Sequence, residues 1–197
     1  HRACPSILEA EGMSALRDIR DLSAAPFGPN MPIQGMAELD HEESSLDEGG
    51  FGTVYRLRAA DGKYVEGVLV KIMRDPEHAD HAHETIKLLH QKLNRKFGSA
   101  LIAEYPELLG LPFLIFRATN EEEKEVVAMT VLDLGHLGFE DLGSDDWDHE
   151  LYFHDVDPLV KLHLAYQLAR VATLFDEIDF IHADLKDRSL FVDVKVP

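Results

Sequence analysis

The alternation of apolar and polar positions divides the chain into helix-like and strand-like stretches. Over residues 6–23, Ile7, Leu8, Met13, Leu16, Ile19 and Leu22 recur mostly at helical spacing, and Ser6 with Glu9 forms a capping box. That spacing predicts an N-terminal helix lying on the outside of the domain. Pro26, Gly28, Pro29, Pro32 and Gly35 then break regular structure, so residues 24–38 read as a linker or turn. Val54 to Arg58 alternates like a half-buried strand, Asp61-Gly62 is a hairpin signal, and Tyr64 to Met73 reads as the return strand. Residues 79–96 predict a helix through Ile86, Leu88, Leu89 and Leu93, ended by basic residues before Gly98. Leu111 to Ala118 and Glu125 to Leu132 read as two more strands, turned at Thr119-Asn120. Residues 133–158 are loop-rich. From Pro158 to about Ile178 a broad apolar face predicts a long helix central to the second half of the core. Leu190 to Asp193 reads as a short final strand.

Composition narrows the classes. The chain has 197 residues, 45% of them apolar, enough for a folded domain with a sizeable core. Nineteen basic residues against 37 acidic ones give a net charge of −18. Such a surface repels phosphate backbones, which argues against nucleic-acid and anionic-membrane binding. No apolar run approaches the roughly 18–20 residues of a membrane span. The single cysteine, Cys4, has no internal partner, so a reducing, cytoplasmic setting is expected. His1 is not an initiator residue, so the sequence is expected to begin inside a longer chain or after a processing or tag boundary.

Candidate chemistry concentrates in three places. Leu46-Asp47-Glu48-Gly49-Gly50-Phe51-Gly52-Thr53-Val54-Tyr55 has three glycines within four positions. Glycine lets a backbone approach a ligand closely, and successive N–H groups in such a turn can point at anionic oxygens. Lys71 interrupts the apolar run Val-Leu-Val-Lys-Ile-Met; it is either paired in a cleft or carried on the exposed face of an edge strand. Glu84 can supply its carboxylate, or pair locally with Lys87. His78, His81 and His83 crowd the same helix, but their spacing matches no standard zinc pattern. The stretch from Asp141 to Asp157 is acidic and free of Lys and Arg, and it lacks the glycine and terminal glutamate of an EF-hand loop. The third place is His182-Ala183-Asp184-Leu185-Lys186-Asp187-Arg188-Ser189.

The order glycine hairpin, strand lysine, helix glutamate, hairpin, long helix, His-x-Asp loop and short strand resembles the eukaryotic-type protein kinase fold from about Leu46 to Val194. The resemblance implies an α+β, bilobal architecture. It has an extension at 1–38, an N-lobe at 39–132 (an antiparallel sheet with one helix) and the start of a helical C-lobe at 133–197. It implies ATP and Mg as cofactors and a Ser/Thr protein kinase activity. Gly49, Gly50, Phe51, Gly52 and Val54 would cover the nucleotide, Lys71 would hold its α- and β-phosphates, and Glu84 would pair with that lysine. Asp184 would act on the acceptor hydroxyl, Lys186 would add positive charge, and Ser189 would stand at the family's metal-binding asparagine. A protein or peptide substrate is implied, and the acidic stretch predicts a preference for basic peptides.

Several residues depart from the family pattern. Asp47 replaces a loop glycine, Leu69 stands where alanine usually covers the adenine, and Ala183 replaces arginine. The sequence reaches Pro197 before any Asp-Phe-Gly. Two alternatives follow. One is a pseudokinase that binds or scaffolds without turnover; the other is a small-molecule kinase of the aminoglycoside phosphotransferase type, towards which Ala183 leans.

Overall fold

A computed structural model describes residues 13–28, 36–40, 48–49, 52–58, 64–141, 157–182 and 190–193. The chain is α+β, with its strands antiparallel throughout. Strands β1 (Met13–Ala24), β2 (Met36–Asp40), β3 (Glu48–Gly49), β4 (Gly52–Arg58) and β5 (Tyr64–Met73) precede helix α1 (Pro76–Lys96). A 3₁₀ turn at Gly98–Ala100, the short helix α2 (Leu101–Glu104) and a 3₁₀ turn at Pro106–Gly110 lead to β6 (Leu114–Thr119) and β7 (Glu125–Leu132). Strand β8 (Phe139–Asp141), helix α3 (Pro158–Glu177) and β9 (Phe191–Asp193) complete the order.

The sheet runs β2-β1-β6-β7-β5-β4-β3, and β2 also pairs with β4. Six strands therefore close into a ring, each pairing antiparallel. Closure leaves the ring strands no free edge, the usual weak point of an open sheet. Strands β8 and β9 form a separate pair.

The expectation of a helix over 6–23 is corrected, because Met13–Ala24 is a strand between β2 and β6. Residues 36–38, expected at the end of a linker, belong to strand β2 as well. The reason lies in Asp18 and Asp21, which adopt φ of 50° and 52°. Aspartate tolerates this left-handed region better than most residues. The register against β6 slips between Arg17 and Arg20 and again between Arg20 and Ser23. Each slip adds one residue to the strand's period of two, giving a period of three. Leu16 and Ile19 thus reach the same core while keeping a spacing that reads as helical.

The other elements follow local rules. Asp75 caps α1 by accepting from the Glu77 N–H at 2.9 Å, with Pro76 at the first helical position. Asp157 caps α3 in the same way, accepting from the Leu159 N–H at 2.8 Å ahead of Pro158. Strands β5 and β7 keep the expected bounds of 64–73 and 125–132.

The two faces of the ring pack differently. Leu16, Leu57, Val68, Val70, Leu114, Phe116, Ala118 and Ala128 join one buried cluster with Leu89 and Leu93 of α1 and Leu174, Phe175 and Ile178 at the end of α3. Met73, Ile115, Val127 and Met129 form a second cluster, covered by Ala79, Ala82 and Ile86 of α1. Helix α3 departs from its expected central place. Of its side chains only Leu174 and Phe175 are buried, while Leu159, Leu162 and Tyr166 are exposed. Its C-terminal half carries anchors: Arg170 reaches Glu107 at 3.4 Å and the Glu104 carbonyl, and lies over the Tyr105 ring. Among the described residues no helix is long and apolar enough to cross a membrane.

Candidate functional site

The site grows from the strand register. Lys71 sits in β5 opposite Val54 of β4 and Met129 of β7. Residues directly opposite in an antiparallel pair share a face. Lys71, Val54 and Met129 therefore lie on the face that α1 covers, with Leu69 two residues along. Strand β5 has a neighbour on both sides, so the edge-strand alternative for Lys71 falls away. The lysine is half-buried.

The glycine stretch meets this lysine. Gly49 pairs with Gly52, and Gly52 pairs with Met73. A Cβ built on Gly52 falls within 3.0 Å of the Ile72 carbonyl oxygen, 3.1 Å from its carbon and 3.3 Å from Lys71 Cε. Glycine is thus required at 52 by close approach, not by an unusual φ. The start of β4 lies directly over the stem of Lys71. Backbone amides and an ammonium converging on one face can receive anionic oxygens. Leu69 is half-buried and opposes Arg56 of β4 and Val131 of β7.

Helix α1 does not complete the site as the family resemblance implies. Glu84 is 70% exposed, and its Oε1 lies 3.3 Å from Nδ1 of His83. No ion pair joins it to Lys71 or Lys87. The helix turns Ala79, Ala82, His83 and Ile86 towards the sheet, and Glu84 stands one residue off that stripe. The helix is held elsewhere by Arg117 of β6. Its Nη1–H donates to Asp80 Oδ1 at 2.9 Å and to Glu125 Oε1 at 2.8 Å, and its Nε lies 3.8 Å from Asp21 Oδ2. The bond to Asp80 leads in raising the guanidinium's pKa further above its ordinary value. Arg20 of β1 also pairs with Glu125.

The remaining expectations divide by position. Gly50, Phe51, Asp184, Lys186 and Ser189 lie outside the described residues, as do Asp47 and most of the acidic stretch. Two residues before Asp184 in sequence, the His182 ring stacks on Phe175 with centroids 6.3 Å apart. Phe180 packs on Phe175 as well, at 5.2 Å. The histidine trio does not gather. His78 pairs with Asp75 at 2.9 Å, whereas His83 is buried against β1. Among the described residues no three His, Cys, Asp or Glu side chains converge on a metal site.

Residue-by-residue reading overlooked Met129, Arg117 and His90. Met129 was legible as the position facing Lys71 only once β5 and β7 were paired. Arg117 and His90 carry no local signal, since their partners lie on other elements. No protein family, no curated protein and no solved structure matches the chain.

Proposed function

We propose that the chain is a kinase-like phosphotransferase that binds ATP beneath the 49–54 hairpin and transfers its γ-phosphoryl group to a serine or threonine of a protein substrate in the cytoplasm. One observation carries the reading: Gly52 lies against the stem of a half-buried lysine on the helix-covered face of an antiparallel sheet. Phosphoryl transfer needs mainly positioning and charge neutralisation. Backbone amides around Gly49–Gly52 would cover the phosphates. Lys71 would meet the α- and β-oxygens as a point charge. Asp184 would orient the acceptor hydroxyl and take its proton, with Lys186 beside it. Mg²⁺ would neutralise phosphate charge when bound with ATP, and none of its ligands is assigned among the described residues.

A second reading is a pseudokinase that binds nucleotide without turnover. The exposed position of Glu84 favours it, because a Lys71 not held by that carboxylate is less well oriented for chemistry. A thermal-shift titration with ATP, with and without Mg²⁺, combined with a γ-phosphate transfer assay on a basic peptide library, separates the two. Binding should raise stability by about 2.7 kcal/mol at a hundredfold excess over Kd, and Lys71→Met should remove the shift. Transfer lost in Asp184→Asn supports the enzyme. A nucleotide shift without transfer supports the pseudokinase. No shift at millimolar ATP refutes both.

A further inference from the structure

Helix α1 meets the N-terminal strand through two buried imidazoles. His83, 1% exposed, lies with Nε2 at 3.4 Å from the Asp21 carbonyl of β1. His90, 2% exposed, donates its Nε2–H to the Pro112 carbonyl at 2.8 Å. Residues 112–113 form a junction. The Phe113 N–H donates to the Thr130 carbonyl of β7 at 3.0 Å, and the Phe113 carbonyl accepts from the Ala25 N–H, just past β1, at 2.8 Å. One histidine thus clips the helix to the point where β1, β6 and β7 come together. Further along α1, Lys92 Nζ donates to the Asp179 carbonyl at 2.8 Å, and Lys96 lies 3.8 Å from Glu177. Through these contacts the same helix holds the turn that leads to His182.

We propose that His90 is an acid-sensitive pin: protonating its buried ring loosens α1 from the β1–Pro112 junction and, with it, the 178–182 turn. With Nε2–H given to Pro112, the neutral ring leaves Nδ1 as a buried lone pair without a hydrogen-bond partner. Protonation adds both a charge and a second N–H there. Burial pushes the His90 pKa below its ordinary value, and it outweighs the upward pull of the Pro112 and Ser23 carbonyls. No charged side chain contributes to that balance. On its own helix the titratable Lys87 stands three residues before it and Lys92 two residues after it. The charged network around His83 is separate: Asp21 and Arg20 from β1, Arg117 from β6, Glu125 from β7, and Asp80 and Glu84 from α1. The pin is a property of the fold and holds whatever reaction the neighbouring site performs.

The sign follows from linkage. The unfolded chain binds a proton at His90 near pH 6.5, its ordinary value, and the folded chain only at lower pH. The stabilisation is full above that value and is lost as pH falls through it towards the folded pKa. Hydrogen exchange on the full chain at pH 7.5, 6.5 and 5.5, corrected for intrinsic rates, reads this directly. Protection in β1, α1 and 178–182 should fall by up to about tenfold per pH unit below 6.5, and His90→Gln, which keeps a donor for Pro112, should abolish that fall. An unchanged fall in His90→Gln, or equal losses across β4 and β5, overturns the proposal. Should His90→Gln not fold, NMR titration of the wild-type ring decides. A midpoint below 6.5 supports the pin, and one at or above 6.5 overturns it.

Discussion

Replacing Gly52 with alanine sets two physical effects against each other. A glycine within a strand gives up more chain entropy on folding than alanine, so the substitution ordinarily stabilises by about 0.5–1 kcal/mol. Here the added methyl meets the Ile72 carbonyl inside 3.0 Å, with Lys71 Cε at 3.3 Å. The first obstacle is backbone and has no rotamer to retreat into, so the β4–β5 pairing must open around it. Overpacking of this kind costs about 1–3 kcal/mol, which exceeds the entropic gain and reverses the sign. Net of that gain the loss is up to about 2.5 kcal/mol, which for a chain of this size is a fall in Tm of up to about 10 °C, measurable by differential scanning fluorimetry. Gly135→Ala is the control, since its Cβ would meet only Asp133 Oδ1 at 3.4 Å, an ordinary contact. It should change stability by less than about 0.5 kcal/mol. A Gly52→Ala protein as stable as wild type, or more so, would refute the close approach of β4 to Lys71, and with it the observation on which the proposed function rests.

Two further outcomes test the parts of the fold that local reading mistook. Leu16 is fully buried and Leu22 is 46% exposed, although both belong to β1. Leu16→Ala should cost about 2–5 kcal/mol in urea unfolding and Leu22→Ala less than about 0.5 kcal/mol; equal costs would contradict the bulged strand. Arg117→Met removes the cation shared by Asp80 and Glu125 and should cost about 1 kcal/mol at low ionic strength, with the cost shrinking in 1 M salt as exposed charges are screened. A cost unaffected by salt would assign the effect to packing of the arginine stem.

Elements held by their own residues were legible. Strands β5 and β7 are rich in apolar and β-branched residues, and their limits coincide with the expected ones. Helices α1 and α3 show their periodicity, and each has an Asp-Pro start. The α1 expectation began three residues late, because Pro76 and the Asp75 cap precede the first apolar repeat. The candidate site was legible in part. Gly52, Val54 and Lys71 stood out by residue type, and the structure brings them together. Glu84 stood out equally and points elsewhere, because its direction depends on which stripe of α1 faces the sheet.

The sequence by itself determined the α+β class, the two long helices, the hairpins of the central strands and the residue types able to meet an anionic ligand. These rest on propensity, caps and periodicity, which act over a few residues. Tertiary structure decided that residues 13–24 are a strand, that six strands close into a ring, and that His90 and Arg117 hold α1 in place. Each of those outcomes depends on partners tens of residues away: Arg17 against Thr119, Glu38 against Arg58, His90 against Pro112. A three-residue apolar spacing has the same appearance whether a helix or a twice-bulged strand produces it. Only the strand's partners, β2 and β6, distinguish the two.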